Sequence, residues 1–246
     1  MNPSWRSTME DAHATVSHFD GDSSMSFFAV YDGHGGRGTV DFVSSRLQDI
    51  LAEELKADGD ASVPARISRA YATTDIESRE AAVITSGATA VTCLLKADAD
   101  GRVTLYSANI GDSRAVLARG GKAVRLTYDH KADDASERER VVAAGGFVLR
   151  NRVLGILAVS RSFGNQGMKE FVTSSPHVSE TSVSSNCPFL ILACDGVWDV
   201  FTDDDAVSFV TRALTVKAEA DVAGALLQES LDRGSTDNIT VVIIFF

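Results

Sequence analysis

The segment ATAVTCLLKADADGRVTLYSANIGDSRAVLARGGKAVRL (88–126) decides the fold. It holds four short apolar runs, Ala88–Leu95, Val103–Ala108, Ala115–Ala118 and Ala123–Leu126, each of strand length. The turns between them, ADADG (97–101), NIGDSR (109–114) and RGGK (119–122), are rich in Gly and charged residues. Turns this short predict consecutive antiparallel hairpins, because parallel strands need a crossover of a dozen or more residues. ADADG also looks like half of a calcium loop. However, Lys96 stands where the first Asp ligand belongs and Ser107 where the final Glu belongs, so it reads as a hairpin turn.

Helical patterns flank this block. Val40, Val43, Leu47, Ile50, Leu51 and Leu55 recur at helical spacing and predict an amphipathic helix over 39–56. A second helix begins at Pro64 and runs through Thr74. Downstream, Ser136 and Glu139 have capping-box spacing and Gly145-Gly146 supplies a stop, which predicts a short helix over 137–144. Thr202 with Asp205 caps another helix, and 219–232 forms the last. Two more strands precede acidic turns: Ser26–Tyr31 and the continuous apolar run Pro188–Cys194; the chain closes on Ile239–Phe245. Runs of strands beside runs of helices predict an α+β fold: antiparallel sheets stacked face to face with helices outside.

Composition narrows the function. The 246 residues are 44% hydrophobic and 23% charged with 4 Pro, a globular composition that reads as one domain over 1–246. Lys+Arg 23 against Asp+Glu 34 gives a net charge of −11, with no cationic run to replace counterions on a duplex, so no nucleic-acid partner is expected. The excess carboxylates are either solvated surface or converge on cations. The 3 Cys are far apart and form no CxxC, the N-terminus lacks a signal-peptide pattern, and no apolar run is long enough to span a bilayer. The expectation is a cytoplasmic or nuclear monomer with no membrane partner. A Cys-based phosphatase is excluded, since the residues six past Cys93, Cys187 and Cys194 are Ala99, Ala193 and Val200 rather than Arg.

Acidic residues cluster at Glu10-Asp11, Asp32-Gly33-His34, Gly111-Asp112, Asp195-Gly196 with Asp199, and Asp237-Asn238. Each alone reads equally well as a turn or a solvated face. Asp32 and Asp195, however, directly follow apolar strands, where an unpaired carboxylate costs several kcal/mol. An oxygen-only set of this kind suits Mg²⁺ or Mn²⁺ rather than zinc. Gly33–Gly38 also satisfies G-x-G-x-x-G. A dinucleotide fold needs a second parallel strand after the helix, whereas 57–63 is polar and leads into another helix.

The motifs RSTMEDAH (6–13), VYDGHGG (30–36), SGATA (86–90), NIGDSRAVL (109–117), LTYDHK (126–131), AAGG (143–146), LAVSRSFGN (157–165), ACDGVWDV (193–200) and STDNITVV (235–242) resemble, in order and over essentially the whole chain, the metal-dependent Ser/Thr protein phosphatases of type 2C, the PPM family. The resemblance implies an α-β-β-α sandwich, two stacked antiparallel sheets flanked by antiparallel helix pairs, and phosphorylated proteins as substrates. It implies two Mn²⁺ or Mg²⁺ ions held by Asp32, the Gly33 carbonyl, Asp195 and Asp237, with Glu10 and Asp11 holding their waters. Arg6 matches the phosphate-binding arginine and His34 the general acid. Thr89, Asp112 and Asp199 match residues around a third metal found in some members. Two ions about 3.5–4 Å apart acidify a bridging water, so no side-chain nucleophile is needed. His13 matches a supporting position and His130 a loop-orienting one, while His18 and His177 read as surface residues.

Two departures stand out: Ala88 replaces the Cys of SGCTA, and Asn165 replaces the Asp that ends LAVSR-x-FGD, removing a charge. The flap-like segment 166–175 is short, and only five residues precede Arg6, as in an excised catalytic domain. A non-catalytic family member that binds phosphoproteins or a receptor is the rival reading; loss of Asp32, Asp195 or Asp237 would signal it, and all three are present.

Overall fold

A computed structural model describes residues 2–81 and 85–246. In chain order its strands are β1 (Asp11–Ser17), β2 (Met25–His34), β3 (Gly87–Ala97), β4 (Val103–Ile110), β5 (Arg114–Arg119), β6 (Lys122–Arg125), β7 (Val148–Leu149), β8 (Arg152–Val153), β9 (Phe163–Gly164), β10 (His177–Val183), β11 (Phe189–Ala193) and β12 (Val241–Phe245). The helices are α1 (Gly38–Lys56), α2 (Val63–Glu80), α3 (Ala135–Ala143), α4 (Asp195–Trp198), α5 (Asp203–Ala213) and α6 (Glu219–Asp232).

The first sheet runs β1-β2-β3-β4-β10, with β9 paired to the end of β3, and the second runs β12-β11-β5-β6. All named pairs are antiparallel. Strand alternation sorts the apolar residues into three layers. Phe27, Ala29 and Tyr31 of β2 face α1 and α2, where they meet Val43, Leu47 and Tyr71. Val30, Val91 and Leu105 face the other way and meet Leu117, Leu190, Leu192 and Val242 of the second sheet. Phe189, Ile191 and Ala193 cover the outer face of that sheet against Val207, Val210 and Leu226 of α5 and α6. The result is the expected α-β-β-α sandwich.

Three expectations need correcting. The strands of 88–126 are not one run of hairpins: β3–β4 and β5–β6 are, but the NIGDSR turn carries the chain from the first sheet to the second. Local turn chemistry is the same for a hairpin and a sheet change, so nothing in the segment itself distinguishes them. The short helix starts at Ala135 rather than 137, and its cap is Asp134, which accepts from the Ser136 and Glu137 amides. Asp134 and Glu137 have the same three-residue spacing as Ser136 and Glu139, but Glu137 is drawn inward to Arg140 and Arg161. Strands β1 and β10 were not anticipated. Both are sheet edges, and DAHATVS and HVSETSV carry too little apolar area to mark them. The Thr202 cap does accept from the Asp205 amide, and α6 spans 219–232 as read.

Candidate metal centre

The period-two alternation that builds the core also builds the site. Phe28 and Val30 point between the sheets, so Asp32 continues that face to its end. Register places Asp32 opposite Asp11 on one neighbour and opposite Thr89 on the other, so three oxygen-bearing side chains stand in a row across β1, β2 and β3. On the facing sheet Leu190, Leu192 and Cys194 lie on the inner face, and Asp195 follows at the strand end, opening α4. Asp237-Asn238 leads into β12 beside it.

Glycine lets these segments close on one another. A Cβ on Gly33 would stand 2.5 Å from the Glu10 carbonyl oxygen, and one on Gly196 would overlap the Asn238 carbonyl oxygen. Each Asp-Gly pair therefore admits the backbone of another acidic segment: Asp32-Gly33 takes Glu10-Asp11, and Asp195-Gly196 takes Asp237-Asn238. The two halves are then tied together. The Glu10 amide donates to Asn238 Oδ1 at 3.0 Å, and Thr240 Oγ1 donates to Asp11 Oδ2 at 2.7 Å.

A cavity of about 310 Å³ opens here, lined by Arg6, Asp32, Gly33, His34, Thr89, Asp112, Asp195 and Asp237 of the sequence-predicted residues. Glu10 lines an adjoining hollow with Arg6, His34 and Asp237; its carboxylate accepts from the Gly36 amide at 3.1 Å and Thr8 Oγ1 at 3.0 Å. Arg6 is ion-paired with Asp237 at the rim. Asp199 lies outside this wall: it is exposed and pairs with Lys131 at 3.4 Å, while the same ammonium reaches Asp112 at 3.9 Å. Thr89 Oγ1 shares a 2.6 Å hydrogen bond with Ser113.

Electrostatics set this cavity apart. Burial, then the charges of Asp195, Asp11, Asp112 and Asp237, push the Asp32 carboxyl well above the usual range. Burial and the charges of Asp112, Asp237 and Asp199 do the same to Asp195, against a smaller opposing pull from Lys131. Asp11 is raised by burial despite its bonds to Thr240 and Cys194. Asp195 Oδ1 is buried with no hydrogen-bond partner.

This donor set fits a hard divalent cation. Ligand atoms of Asp11, Asp32 and Cys194 lie within 4.8 Å of one another. Cys194 belongs to that group by position only: burial and the nearby carboxylates hold its thiol protonated, and it donates to Asp11 Oδ2 at 3.5 Å. The remaining donors are oxygens, which select Mg²⁺ or Mn²⁺ over softer metals.

The other histidines separate clearly. His13, His18 and His177 are exposed. His130 is buried, its amide donating to the Gly111 carbonyl at 2.8 Å; burial, then Arg161, pulls its imidazole down to about 4. Sequence reasoning missed the wall formed by Arg152 of the two-residue strand β8 and by Leu157, Ala158 and Val159 of the segment after it, where no periodicity marks the chain. It also missed the partner of His34, whose Nε2 lies 2.8 Å from Asn165 Oδ1.

Comparisons with known proteins point to one family. The family model described as protein phosphatase 2C matches residues 1–239. The chain is 38% identical over 256 residues to protein phosphatase 2C homolog 1 of Saccharomyces cerevisiae, covering 99% of this chain and 90% of that protein. It is 41% identical over 252 residues to probable protein phosphatase 2C 59 of Oryza sativa subsp. japonica, covering 100% and 74%. Among solved structures, a C. elegans sex determining protein superposes with a TM-score of 0.87 at 27% identity, over 98% of this chain and 62% of that one. Serine-threonine phosphatase 2C from Toxoplasma gondii shares the fold, with a TM-score of 0.82 at 24% identity over 98% and 91%.

Proposed function

The chain belongs to the protein phosphatase 2C family, and on that premise we propose that the acidic cavity at the mouth of its inter-sheet core is where phosphoserine and phosphothreonine of protein substrates are hydrolysed. Membership carries metal-dependent dephosphorylation of proteins as the activity. The observation that supports this cavity as the site is the unpartnered, buried Asp195 Oδ1 among carboxyls that burial and mutual repulsion drive toward protonation. Such an arrangement is costly unless a cation is there to meet it.

Asp32, Asp195 and Asp237, with the Gly33 carbonyl, would hold two divalent ions, and Glu10 and Asp11 border them. Bound ions of this kind supply Lewis acidity, lowering the pKa of water and neutralising charge on phosphoryl oxygens. The chain's own groups do the rest. Arg6 stands at the rim with a planar fork that matches phosphate oxygens bidentately, held in place by Asp237. His34, two residues past Asp32, faces the same cavity and can hand a proton to the basic serine or threonine oxygen as it leaves. Leu157, Ala158 and Val159 line another part of the wall. Thr89, Asp112 and Asp199 would form a weaker third site, because the Lys131 ammonium competes there for Asp112 and Asp199.

Turnover of a phosphothreonine peptide tests the reading. Activity should require added Mn²⁺ or Mg²⁺, vanish with chelator, and be lost in Asp195→Ala with the circular-dichroism spectrum unchanged. Equal turnover in chelator overturns it, and metal-independent peptide binding without turnover would favour a binding module.

A further inference from the structure

Asn165, one of the two departures from the family pattern, is not a loop ornament. His34 ends β2, Gly87 begins β3 directly opposite it, and Gly164 of β9 pairs with Gly87 from the other side. His34 and Asn165 thus flank one glycine and bridge across it, Nε2 to Oδ1, at 2.8 Å. A Cβ on Gly87 would sit on both Asn165 Oδ1 and His34 Nε2, so the glycine is what leaves room for the bond.

Asn165 is itself held on several sides. Its Oδ1 accepts a second bond from buried Ser162 Oγ at 2.7 Å, and its amide donates to the Ser86 carbonyl at 2.9 Å. Its backbone is left-handed, with φ 49° and ψ 44°, a conformation Asn tolerates better than most residues. The strand before it is riveted to α2: the Gly164 amide donates to Asp75 Oδ1 at 2.9 Å, and Lys169 Nζ bonds Asp75 Oδ2 at 2.8 Å and the Gly164 carbonyl at 2.9 Å. Asp75 and Ser162 are buried, so the acceptor oxygen has little freedom.

We propose that Asn165 is a positioning residue: its anchored amide oxygen fixes the His34 ring with a proton on Nε2 and leaves Nδ1 as the nitrogen that serves the leaving group. This rests on the reading of the cavity as a phosphatase site. In the step it supports, water forms a new P–O bond, its protons staying on the oxygens of the released phosphate, and the bond from phosphorus to the serine oxygen breaks. That oxygen keeps the electron pair and takes the proton from Nδ1, and the ring is left neutral with its Nε2 proton still donated to Asn165. A neutral amide performs this task without adding another negative charge to a cavity already crowded with carboxylates.

The first test needs neither metal nor substrate. In metal-free protein labelled with ¹⁵N-histidine, the His34 Nε2 proton should be protected from solvent exchange and visible as a ring N–H resonance, assigned by its loss in His34→Gln. Asn165→Gly, which leaves the left-handed backbone unstrained, should abolish that protection, as should Ser162→Ala in part. The second test is kinetic. Asn165→Gly should lower kcat on a phosphoserine peptide by roughly 10-fold, a fraction of the 10²–10⁴ that general acid catalysis contributes, with KM unchanged and an aryl phosphate nearly unaffected. Asn165→Asp, which keeps an oxygen at the same place, should recover most of the loss. An unprotected Nε2 proton in the wild type, or equal losses on both substrates, overturns the proposal. A wild type that is inactive but has the protected proton would instead overturn the phosphatase reading alone.

Discussion

Removing the charge of Asp112 should make the chelated protein more stable at neutral pH and change little in acid. Burial is the main force that raises the Asp112 carboxyl from the ordinary 3.8 to about 6, with Lys131 opposing it. The carboxyl is acidic and its folded value is the higher one, so the folded state binds the extra proton. The ionisation cost is absent below 3.8, grows as the pH rises, and is complete above 6. About two pKa units at 1.36 kcal/mol each make that cost about 3 kcal/mol. Asp112→Asn should therefore gain about 3 kcal/mol over the wild type between those two limits. The loss of the Lys131 contact is already contained in that figure, because the pull of Lys131 is part of what sets the Asp112 carboxyl at about 6. Urea unfolding at a series of pH values in chelator measures the difference directly. A difference that stays flat within about 0.5 kcal/mol, the scatter of ordinary surface changes, refutes the electrostatic account of this cavity.

Other perturbations probe different parts of the same structure. Gly196→Ala places a methyl on the Asn238 carbonyl oxygen and should cost about 1–3 kcal/mol, as overpacking does; an unchanged urea midpoint would mean the segments can separate freely. His34→Ala should slow a phosphoserine peptide by roughly 10²–10⁴ and an aryl phosphate far less, since the aryl oxide is a much weaker base; equal slowing removes His34 from the acid's role. Glu137→Gln should cost about 3 kcal/mol, because it leaves buried Ser160 and the half-buried Arg161 and Arg140 facing a neutral group where a carboxylate held at about 2 had stood. Burial pushes the Glu137 carboxyl up, but those donors outweigh it and hold it at about 2. The stability it contributes is therefore present above 4.5 and lost as the pH falls toward 2. A variant with the same acid-unfolding profile as the wild type would contradict this.

The elements legible in the sequence are those whose own periodicity meets the core. Val40, Val43, Leu47 and Ile50 lie on one helix face, and Phe189–Ala193 is buried throughout, so α1 and β11 were readable from either pattern. Strand β1 was not, because Ala12, Ala14 and Val16 offer little area and the alternate residues His13, Thr15 and Ser17 are exposed. The change of sheet at NIGDSR was hidden for a different reason: it is settled by contacts of Ala115 and Leu117 with Leu190 and Leu192, more than 70 positions away. For the site, each acidic residue was visible as a departure from an apolar run, whereas which of them share a cavity was not. Asp112 and Asp199 looked equivalent as residues, yet one lines the wall and the other is exposed on Lys131.

Asp32 and Asp195 also show why the acidic segments had to be paired with glycine. A strand that ends in a carboxylate facing the core cannot be covered by an ordinary side chain, since that would bury the charge without a partner. Here each following glycine admits a backbone instead, from Glu10 in one case and Asn238 in the other. Those backbones bring their own carboxylates, Asp11 and Asp237, to the same opening. The approach that solves the packing problem therefore worsens the charge problem, and the cations at this opening, Arg6 at the rim, Arg152 in the wall and Lys131 against Asp112, leave Asp195 Oδ1 without a partner. Packing and electrostatics are satisfied together once divalent cations complete the set, which is why the net charge of −11 is better read as partly gathered at one opening than as spread evenly over the surface.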